Sequence, residues 1–464
     1  MRPYAPAIAA DLIERLEAIL GADGVQVETK SDYGHDEALG LAAQEPLAVV
    51  RPSSTEQVAA VVQLAGCTGT PLTARGSGTG LSGACIPRPG GVVVSFERMA
   101  GILEVDDGNH VAVVQPGVTL DRLDAATRAH GLVYPVFPGE HSASLGGNIA
   151  TNAGGMRAVK YGVTRHQVLG VEAVLGTGEV IRSGGKYVKA TSGYDLTQLV
   201  VGSEGTLALV TEATLRLYPR PEHTATVLAP FATLPEVARA VPGIVASGVG
   251  PLMVEYLDAL TMDAVTRQQG LELGVPAEVS RQAAAFLVVV LEAHREDRLD
   301  EDAEALAGML AGAGALEVYL LPPPAGAQLV AGRERAFWVA KAAGAHEILD
   351  VVVPRSEIPG FMDDVAAAAA ATASLVSGCG HAGDGNVHLS LFQPDSDRRE
   401  EVVTRILRAG IDRGGAISVE HGIGKGKMGY LAALEDPAKI ALWRRIKAAF
   451  DPQGVLNPGT IFDP

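Results

Sequence analysis

Residues Arg75–Gly83 read R-G-S-G-T-G-L-S-G, four glycines in nine residues. Gly78, Gly80 and Gly83 formally match G-x-G-x-x-G, the loop that opens a dinucleotide-binding helix. The residues that follow exclude that helix. They are Ala84-Cys-Ile-Pro-Arg-Pro-Gly-Gly91, and Pro87 and Pro89 each lack a backbone donor and clash with a preceding turn. A strand, Val92–Phe96, is expected instead. The start ahead of the loop reads β-α-β: a strand at Pro46–Val50, a helix opened by the capping box Ser53-x-x-Glu56 and running to about Ala65, and a strand at Pro71–Ala74. It does not complete a Rossmann unit. The glycine loop joins two strands, and its successive N–H groups can form an anion nest for a diphosphate. A plain tight turn is the alternative.

Further on, a strand at His110–Gln115 and a helix at Thr119–His130 precede a second glycine-rich region. It runs Pro138-Gly-Glu, then Ser144-Leu-Gly-Gly-Asn-Ile-Ala-Thr-Asn-Ala-Gly-Gly155. Its residues are too small to pack a core and too apolar for a linker, and they suit backbone lying flat on a large planar ligand. Strands at Gly170–Leu175 and Glu179–Arg182 follow, and Gly202-Ser-Glu-Gly-Thr-Leu leads into a strand at Ala208–Leu217.

The chemistry-bearing stretch lies late in the chain. Gly380–His388 reads G-H-A-G-D-G-N-V-H, and Glu420–Lys425 reads E-H-G-I-G-K. Gly383 and Gly385 around Asp384 disfavour a helix, so a strand-turn-strand is expected, with His388 projecting from a strand at Asn386–Phe392. His381, His388 and Glu420 are ligand types of borderline metals, and two His with one carboxylate form the open, catalytic kind of zinc set. His421 is then left beside it as a base. The spacing is neither that of a zinc finger nor H-E-x-x-H. Turn glycines with polar side chains satisfying backbone groups therefore remain an open reading.

The 464 residues suffice for about two or three domains. A hydrophobic content of 47% supports large cores. A net charge of −17 argues against nucleic acid as a partner, since phosphate binding needs a basic face. Cys67, Cys85 and Cys379 form no spaced cluster, so neither a disulfide framework nor a Cys-based metal site is expected, and Cys379 reads as a small buried thiol. No apolar run is long enough to span a bilayer. The opening M-R-P-Y-A-P runs into an amphipathic helix, Ala7–Leu20, without the parts of a signal peptide. A cytoplasmic location is expected, or the inner face of the membrane through partners.

Taken in order, R-G-S-G-T-G-L-S-G, P-G-E, G-G-N-I-A-T-N-A-G-G and G-S-E-G-T-L resemble the FAD-binding domain of the vanillyl-alcohol oxidase / p-cresol methylhydroxylase superfamily. The resemblance implies flavin contacts from Arg75, Gly76, Ser77, Gly78, Thr79, Gly80 and Ser82. It extends them to Pro138, Gly139 and Glu140, and to Ser144, Gly146, Gly147, Asn148, Thr151, Asn152, Gly154 and Gly155. Glu204, Gly205 and Asn457, in the terminal N-P-G, complete the set. Many members attach FAD through a His inside the first loop. Thr79 stands there in this chain, which implies FAD held non-covalently.

The second half is similar to the FAD-linked oxidase domain of D-2-hydroxy-acid dehydrogenases, through G-H-A-G-D-G-N-V-H, V-E-H-G-I-G-K and the closing D-P-Q-G-V-L-N-P-G. That branch includes D-lactate dehydrogenases, the catalytic subunit of glycolate oxidase and D-2-hydroxyglutarate dehydrogenase. The implied fold is α+β in two parts: a FAD-binding domain over residues 1–220 and a substrate and metal domain over 221–464, whose tail returns to the flavin. Positions matching His381, His388 and Glu420 hold zinc or manganese in the family, that of His421 is the base, and Arg333 matches an arginine that grips the substrate carboxylate. As an isolated residue Arg333 reads equally well as a surface ion pair. Glutarate-specific members carry a Thr and a Lys where Phe337 and Ile348 stand here. The implied substrate is therefore a small monocarboxylate such as D-lactate or glycolate, or an acid with an apolar tail, unless Lys341 reaches a second carboxylate by another route. D-2-hydroxyglutarate oxidation and a pure electron-relay subunit are the rival functions. Implied partners are an external electron acceptor (quinone, cytochrome or electron-transfer flavoprotein), iron–sulfur and flavin subunits, or a second copy in a homodimer.

The second domain is expected to alternate strands near Thr224–Ala229, Met253–Leu257, Ala285–Leu291 and Leu316–Leu321 with helices near Leu234–Ala246, Asp300–Ala311, Ala325–Lys341 and Ala438–Phe450. Lys425 and Lys427 read as solvated charges.

Overall fold

The computed structural model describes residues 6–27 and 31–463. Residues 1–5, on which part of the targeting expectation rests, lie outside that range; the expected first helix is present as Pro6–Leu20.

Two large sheets, and a two-stranded one pairing Leu132–Val133 with Tyr218–Pro219, are built from the first half of the chain. The first has four strands in the spatial order Val25–Gln26, Ala48–Val50, Val92–Ser95, Leu72–Arg75. The last three run parallel, which requires a crossover. The helix Thr55–Thr68 supplies it, burying Val58, Val61, Val62 and Ala65 against Val50, Val92 and Val94. Its cap is Ser54, whose hydroxyl accepts from Gln57 N, and not the expected Ser53. Ser53 instead donates from its backbone N to Gln57 Oε1. As the two prolines require, no helix follows the glycine loop: residues 76–91 run irregularly from strand to strand. The second sheet is antiparallel, ordered Ile102–Asp106, Val111–Val114, Ala208–Arg216, Val168–Leu175, Val180–Gly184. The region Ser144–Gly155 forms a short helix, Leu145–Thr151, with Leu145 and Ile149 turned into the core of this sheet.

A seven-stranded antiparallel sheet organises the second half, in the order Tyr319–Leu321, His223–Phe231, Ala285–Ala293, Met253–Asp258, Leu375–Gly380, Asn386–Phe392, Glu347–Val352. Helices Leu234–Ala246, Glu296–Gly312, Ile358–Thr372 and Ser396–Asp412 cover one face with the largest core of the molecule. Alternation assigns the faces: Val387, Leu389 and Leu391 are buried in that core, so His388, Ser390 and Phe392 project from the opposite face. The expected helix over Ala325–Lys341 is two helices, Pro323–Glu334 and Ala336–Ala342, broken at Arg335.

The tail after Pro437–Phe450 crosses back to the first sheet. Leu456 pairs with Leu72, and Asn457 N donates to Leu72 O at 2.7 Å. Among the described residues no helix is long and apolar enough to cross a membrane.

Candidate active site

A cavity of about 420 Å³ lies between the glycine loops and the free face of the seven-stranded sheet. The loops Arg75–Ser82 and Pro138–Glu140 line it, as do one face of the Leu145–Thr151 helix with its cap Ser144, and Gly155, Glu204, Gly205 and Asn457. The space is made by missing side chains and close approach. A Cβ on Gly76 would overlap Ser144 Oγ, and one on Gly155 (φ +141°) would overlap Phe137 O. Two expected flavin contacts do not line the cavity. Asn152 takes a left-handed conformation (φ 53°) that ends the Leu145–Thr151 helix, and its Oδ1 accepts from Arg165 N. Gly154 is pressed against Glu420, whose carboxylate a Cβ there would overlap. Glu204 lines the cavity, but its carboxylate also accepts from Ile423 N and Gly424 N at 2.8 Å each, tying the late loop to the early domain. Burial pushes its pKa up to about 7.

The strand Leu375–Gly380 delivers His381, the strand Asn386–Phe392 delivers His388, and the loop after Ile417 delivers Glu420 and His421. Ligand atoms of His381, His388 and Glu420 all lie within 4.8 Å of one another. Glu420 Oε2 is 3.4 Å from His381 Nε2 and 3.6 Å from His388 Nε2. The His421 ring packs edge-on to His388, centroids 5.1 Å apart. The turn between the strands is also real: Asp384 Oδ1 accepts from Asn386 N. The turn reading of G-H-A-G-D-G-N-V-H thus holds at Asp384 and Asn386, and His381 and His388 stand beside Glu420 as a candidate donor set.

Two carboxylates that the motifs did not announce order this cluster. Glu255 is buried on the strand Met253–Asp258. Its Oε1 is 2.7 Å from His381 Nδ1, which fixes the ring with Nε2 toward Glu420. Its Oε2 is 3.0 Å from Arg333 Nη2, at ion-pair distance though out of line for a hydrogen bond. Arg333 is therefore a buried cation on the cavity wall and not a surface pair. Asp350, 0% exposed, accepts through Oδ2 from Val419 N, Glu420 N and His421 N at 2.9–3.0 Å and from Ser418 Oγ, and through Oδ1 from Asn386 Nδ2. The expected solvated lysines are engaged as well. Lys427 is buried with Nζ 3.0 Å from Ser418 Oγ, and Lys425 Nζ contacts Ile86 O.

Burial opposes charge on His381, but Glu255 and Glu420 outweigh it and raise its pKa well above the ordinary value. Burial, then the charge on His381, holds His388 well below it. His421 is lowered, chiefly by burial. Burial opposes ionisation of Asp350, yet His421, Lys427 and the amides keep it well below the carboxylate range. Burial raises the pKa of Cys379, which stays the expected buried thiol.

Several buried polar atoms of cavity-lining residues have no hydrogen-bond partner within the protein: Asn148 Nδ2, Asn457 Oδ1, Arg333 Nε, His388 Nε2 and His421 Nδ1. Orphaned buried groups on the wall of a cavity call for a polar ligand. A His2Glu donor set whose first histidine leans on a second carboxylate is the arrangement that suits a divalent metal. Phe337 and Ile348 line the cavity, while Lys341 does not; its Nζ pairs with Glu37 at 2.6 Å. The alternative route to a second carboxylate is thus occupied.

Residues 220–461 match the family described as FAD linked oxidases, C-terminal domain, and residues 46–184 match a FAD binding domain. An uncharacterized FAD-linked oxidoreductase of Mycobacterium tuberculosis is 52% identical, over 93% of this chain and 94% of that one. A D-lactate dehydrogenase of Anaerostipes hadrus is 35% identical, over 94% and 93%. The structure of p-cresol methylhydroxylase with substrate bound superposes with a TM-score of 0.78 over 99% of this chain and 98% of that one, at 19% identity, a likeness of fold. The chain belongs to the FAD-linked oxidases and is an FAD-dependent oxidoreductase with the two-part fold of the p-cresol methylhydroxylase type.

Proposed function

We propose that the protein oxidises a D-2-hydroxy acid to the 2-oxo acid, with non-covalent FAD and a divalent metal, zinc or manganese. The observation that carries this is the meeting of three elements on one cavity wall: the His381/His388/Glu420 donor set, the unpartnered Nδ1 of His421, and the buried Arg333. A 2-hydroxy acid offers a matching set of carboxylate, hydroxyl and Cα–H. The D-lactate dehydrogenase relative supports the same reading.

Bound flavin supplies the redox chemistry, acceptance of a hydride from the alcohol carbon, and a metal on the triad supplies the Lewis acidity that makes the hydroxyl proton removable. The protein's own groups do the rest. Arg333, kept cationic beside Glu255, pairs the substrate carboxylate and fixes which face of Cα is presented. His421, held neutral by burial, receives the hydroxyl proton at Nδ1. Glu255 aligns His381 and Arg333 together. Apolar Phe337 and Ile348, with Lys341 committed to Glu37, disfavour a second carboxylate. An external quinone, cytochrome or electron-transfer flavoprotein would reoxidise the flavin.

The test is an anaerobic titration of the yellow protein with D-lactate, L-lactate, glycolate, D-2-hydroxyglutarate and D-malate. Bleaching of the flavin absorbance by a D-acid and not by its mirror image is expected. Protein that no hydroxy acid bleaches would refute the proposal.

A further inference from the structure

The sheet face that carries His388 continues beyond it. His388, Ser390 and Phe392 share that face, and cross-strand register sets Ile348 and Ser377 beside Ser390 and Leu375 beside Phe392. All of them line the same cavity as the donor set. Four residues of strand at roughly 3.3 Å each make the strip from His388 to Phe392 about 13 Å long. Two helices wall it with apolar groups: Leu260 and Ala264, one turn apart on Ala259–Gln269, and Phe337 and Ala340 on Ala336–Ala342.

These walls all come from residues 260–392. The glycine loops meet this half at Glu420, against Gly154, at Glu334, against Gly139, and at Lys425, whose N donates to Ser82 O at 2.9 Å, and none of these residues belongs to the strip. The strip thus runs along the substrate-domain sheet, and its far end opens to water at Leu260 (57% exposed) and Leu375 (53% exposed). Its hydroxyls are Thr261, Ser377 and Ser390; Thr261 and Ser377 are already bonded to each other, and Ser377 Oγ also to Asp258. None of the residues named along it is charged beyond the donor set.

We infer that the strip is a corridor for the substrate's side chain, and that the substrate class is 2-hydroxy monocarboxylic acids bearing an unbranched or aromatic apolar tail of several carbons. This rests on the reaction proposed above. With the carboxylate at Arg333 and the hydroxyl at the donor set, a methyl group ends near His388 and leaves the corridor to water. A longer tail replaces that water along apolar walls. Each methylene so buried favours the bound state by about fourfold. A terminal carboxylate placed there would exchange hydration for apolar walls, and Lys341, with Nζ 5.8 Å from the Phe337 ring centroid, is already paired with Glu37.

The test uses the flavin-loaded protein and anaerobic rapid mixing with D-lactate, D-2-hydroxybutanoate, D-2-hydroxyhexanoate, D-2-hydroxyoctanoate, D-phenyllactate and D-2-hydroxyglutarate. The second-order rate of flavin reduction should climb about fourfold per methylene up to the hexanoate. D-2-hydroxyglutarate should fall about a hundredfold or more below the hexanoate. Ser390→Trp, which fills the strip, should cut the hexanoate-to-lactate ratio by about tenfold or more. Perturbation of the flavin spectrum by 2-oxooctanoate at lower concentration than by pyruvate should follow the same trend, independently of turnover. Reduction by D-lactate with a flat or falling dependence on tail length would overturn the corridor and leave the reaction standing. Failure of every acid to reduce the flavin would overturn the reaction and the corridor with it.

Discussion

Asp350→Asn changes one atom and should loosen the loop that carries Glu420 and His421. In the parent, Oδ2 collects three consecutive amides and the Ser418 hydroxyl, while Oδ1 accepts from Asn386 Nδ2 at 2.7 Å. An asparagine can leave its oxygen facing the amides, but its NH2 group then meets the NH2 of Asn386, donor against donor. The four bonds to the oxygen also lose their charge. Bonds to a charged acceptor are worth roughly 1 kcal/mol more than neutral ones, and a buried donor left without a partner costs about 1–3 kcal/mol. Relaxation absorbs part of this, so a local loss of about 2 kcal/mol is expected. The amides of Val419, Glu420 and His421 should then exchange with deuterium about 30-fold faster. Mass spectrometry of the peptide spanning these residues measures it, with a peptide from the buried strand Ala285–Ala293 as the unperturbed control. Turnover should fall by about a hundredfold, since small displacements of catalytic groups are expensive. Parent-like exchange across residues 418–421 in a variant that keeps its fold would refute the assignment of Asp350 as the anchor.

Other outcomes follow from the same geometry. His421→Ala should retain FAD yet lose turnover by about a hundredfold or more; an unchanged rate removes it as the base. Stripping with a chelator should abolish activity, with Zn²⁺ or Mn²⁺ restoring it, and full activity in rigorously metal-free protein would exclude the triad as a metal site. Gly154→Ala drives a methyl into the Glu420 carboxylate and should depress turnover far more than melting temperature; equal losses would indicate a general packing defect. Glu204 has a folded pKa of about 7 against an ordinary 4.5, so its stabilising contribution is complete below the ordinary value and is lost as pH rises through about 7. Glu204→Gln removes that dependence, and its melting temperature relative to the parent should improve between about pH 5 and about pH 8. A constant difference would contradict the shift.

The sequence was most legible where one residue type forces a local conformation. Pro87 and Pro89 excluded a helix after the glycine loop, and Asn386–Phe392 announced itself as a strand by alternation. The helix Ile358–Thr372 carries its apolar face in a run of alanines, which offers little contrast between faces. In Ser396–Asp412 the spacing of Val402, Val403, Ile406 and Leu407 was a usable signal beneath a dense charge pattern. Glu255 and Asp350 were visible only as single acids in apolar runs, Met253-Val-Glu-Tyr-Leu and Ile348-Leu-Asp-Val-Val. Which histidine or amide each acid meets is set by sheet register between strands far apart in sequence, and no local pattern encodes that. Asn152 and Gly154 belong to a motif whose other expected contacts, Ser144, Gly146, Gly147, Asn148, Thr151 and Gly155, line the cavity. Their neighbours decide their roles: a helix end for one, Glu420 for the other.

The return of Leu456 and Asn457 to the strand Leu72–Arg75 has a consequence for how the molecule is made. A ribosome delivers the first glycine loop early, but the segment that covers the edge of its sheet emerges almost four hundred residues later. Glu204 likewise waits some 220 residues for Ile423 and Gly424. Until then the nascent chain must carry an open sheet edge and an unclosed cavity, which leaves it exposed to mispairing. Acquisition of yellow colour during synthesis should therefore be a late event, marking completion of the chain and not of its first domain.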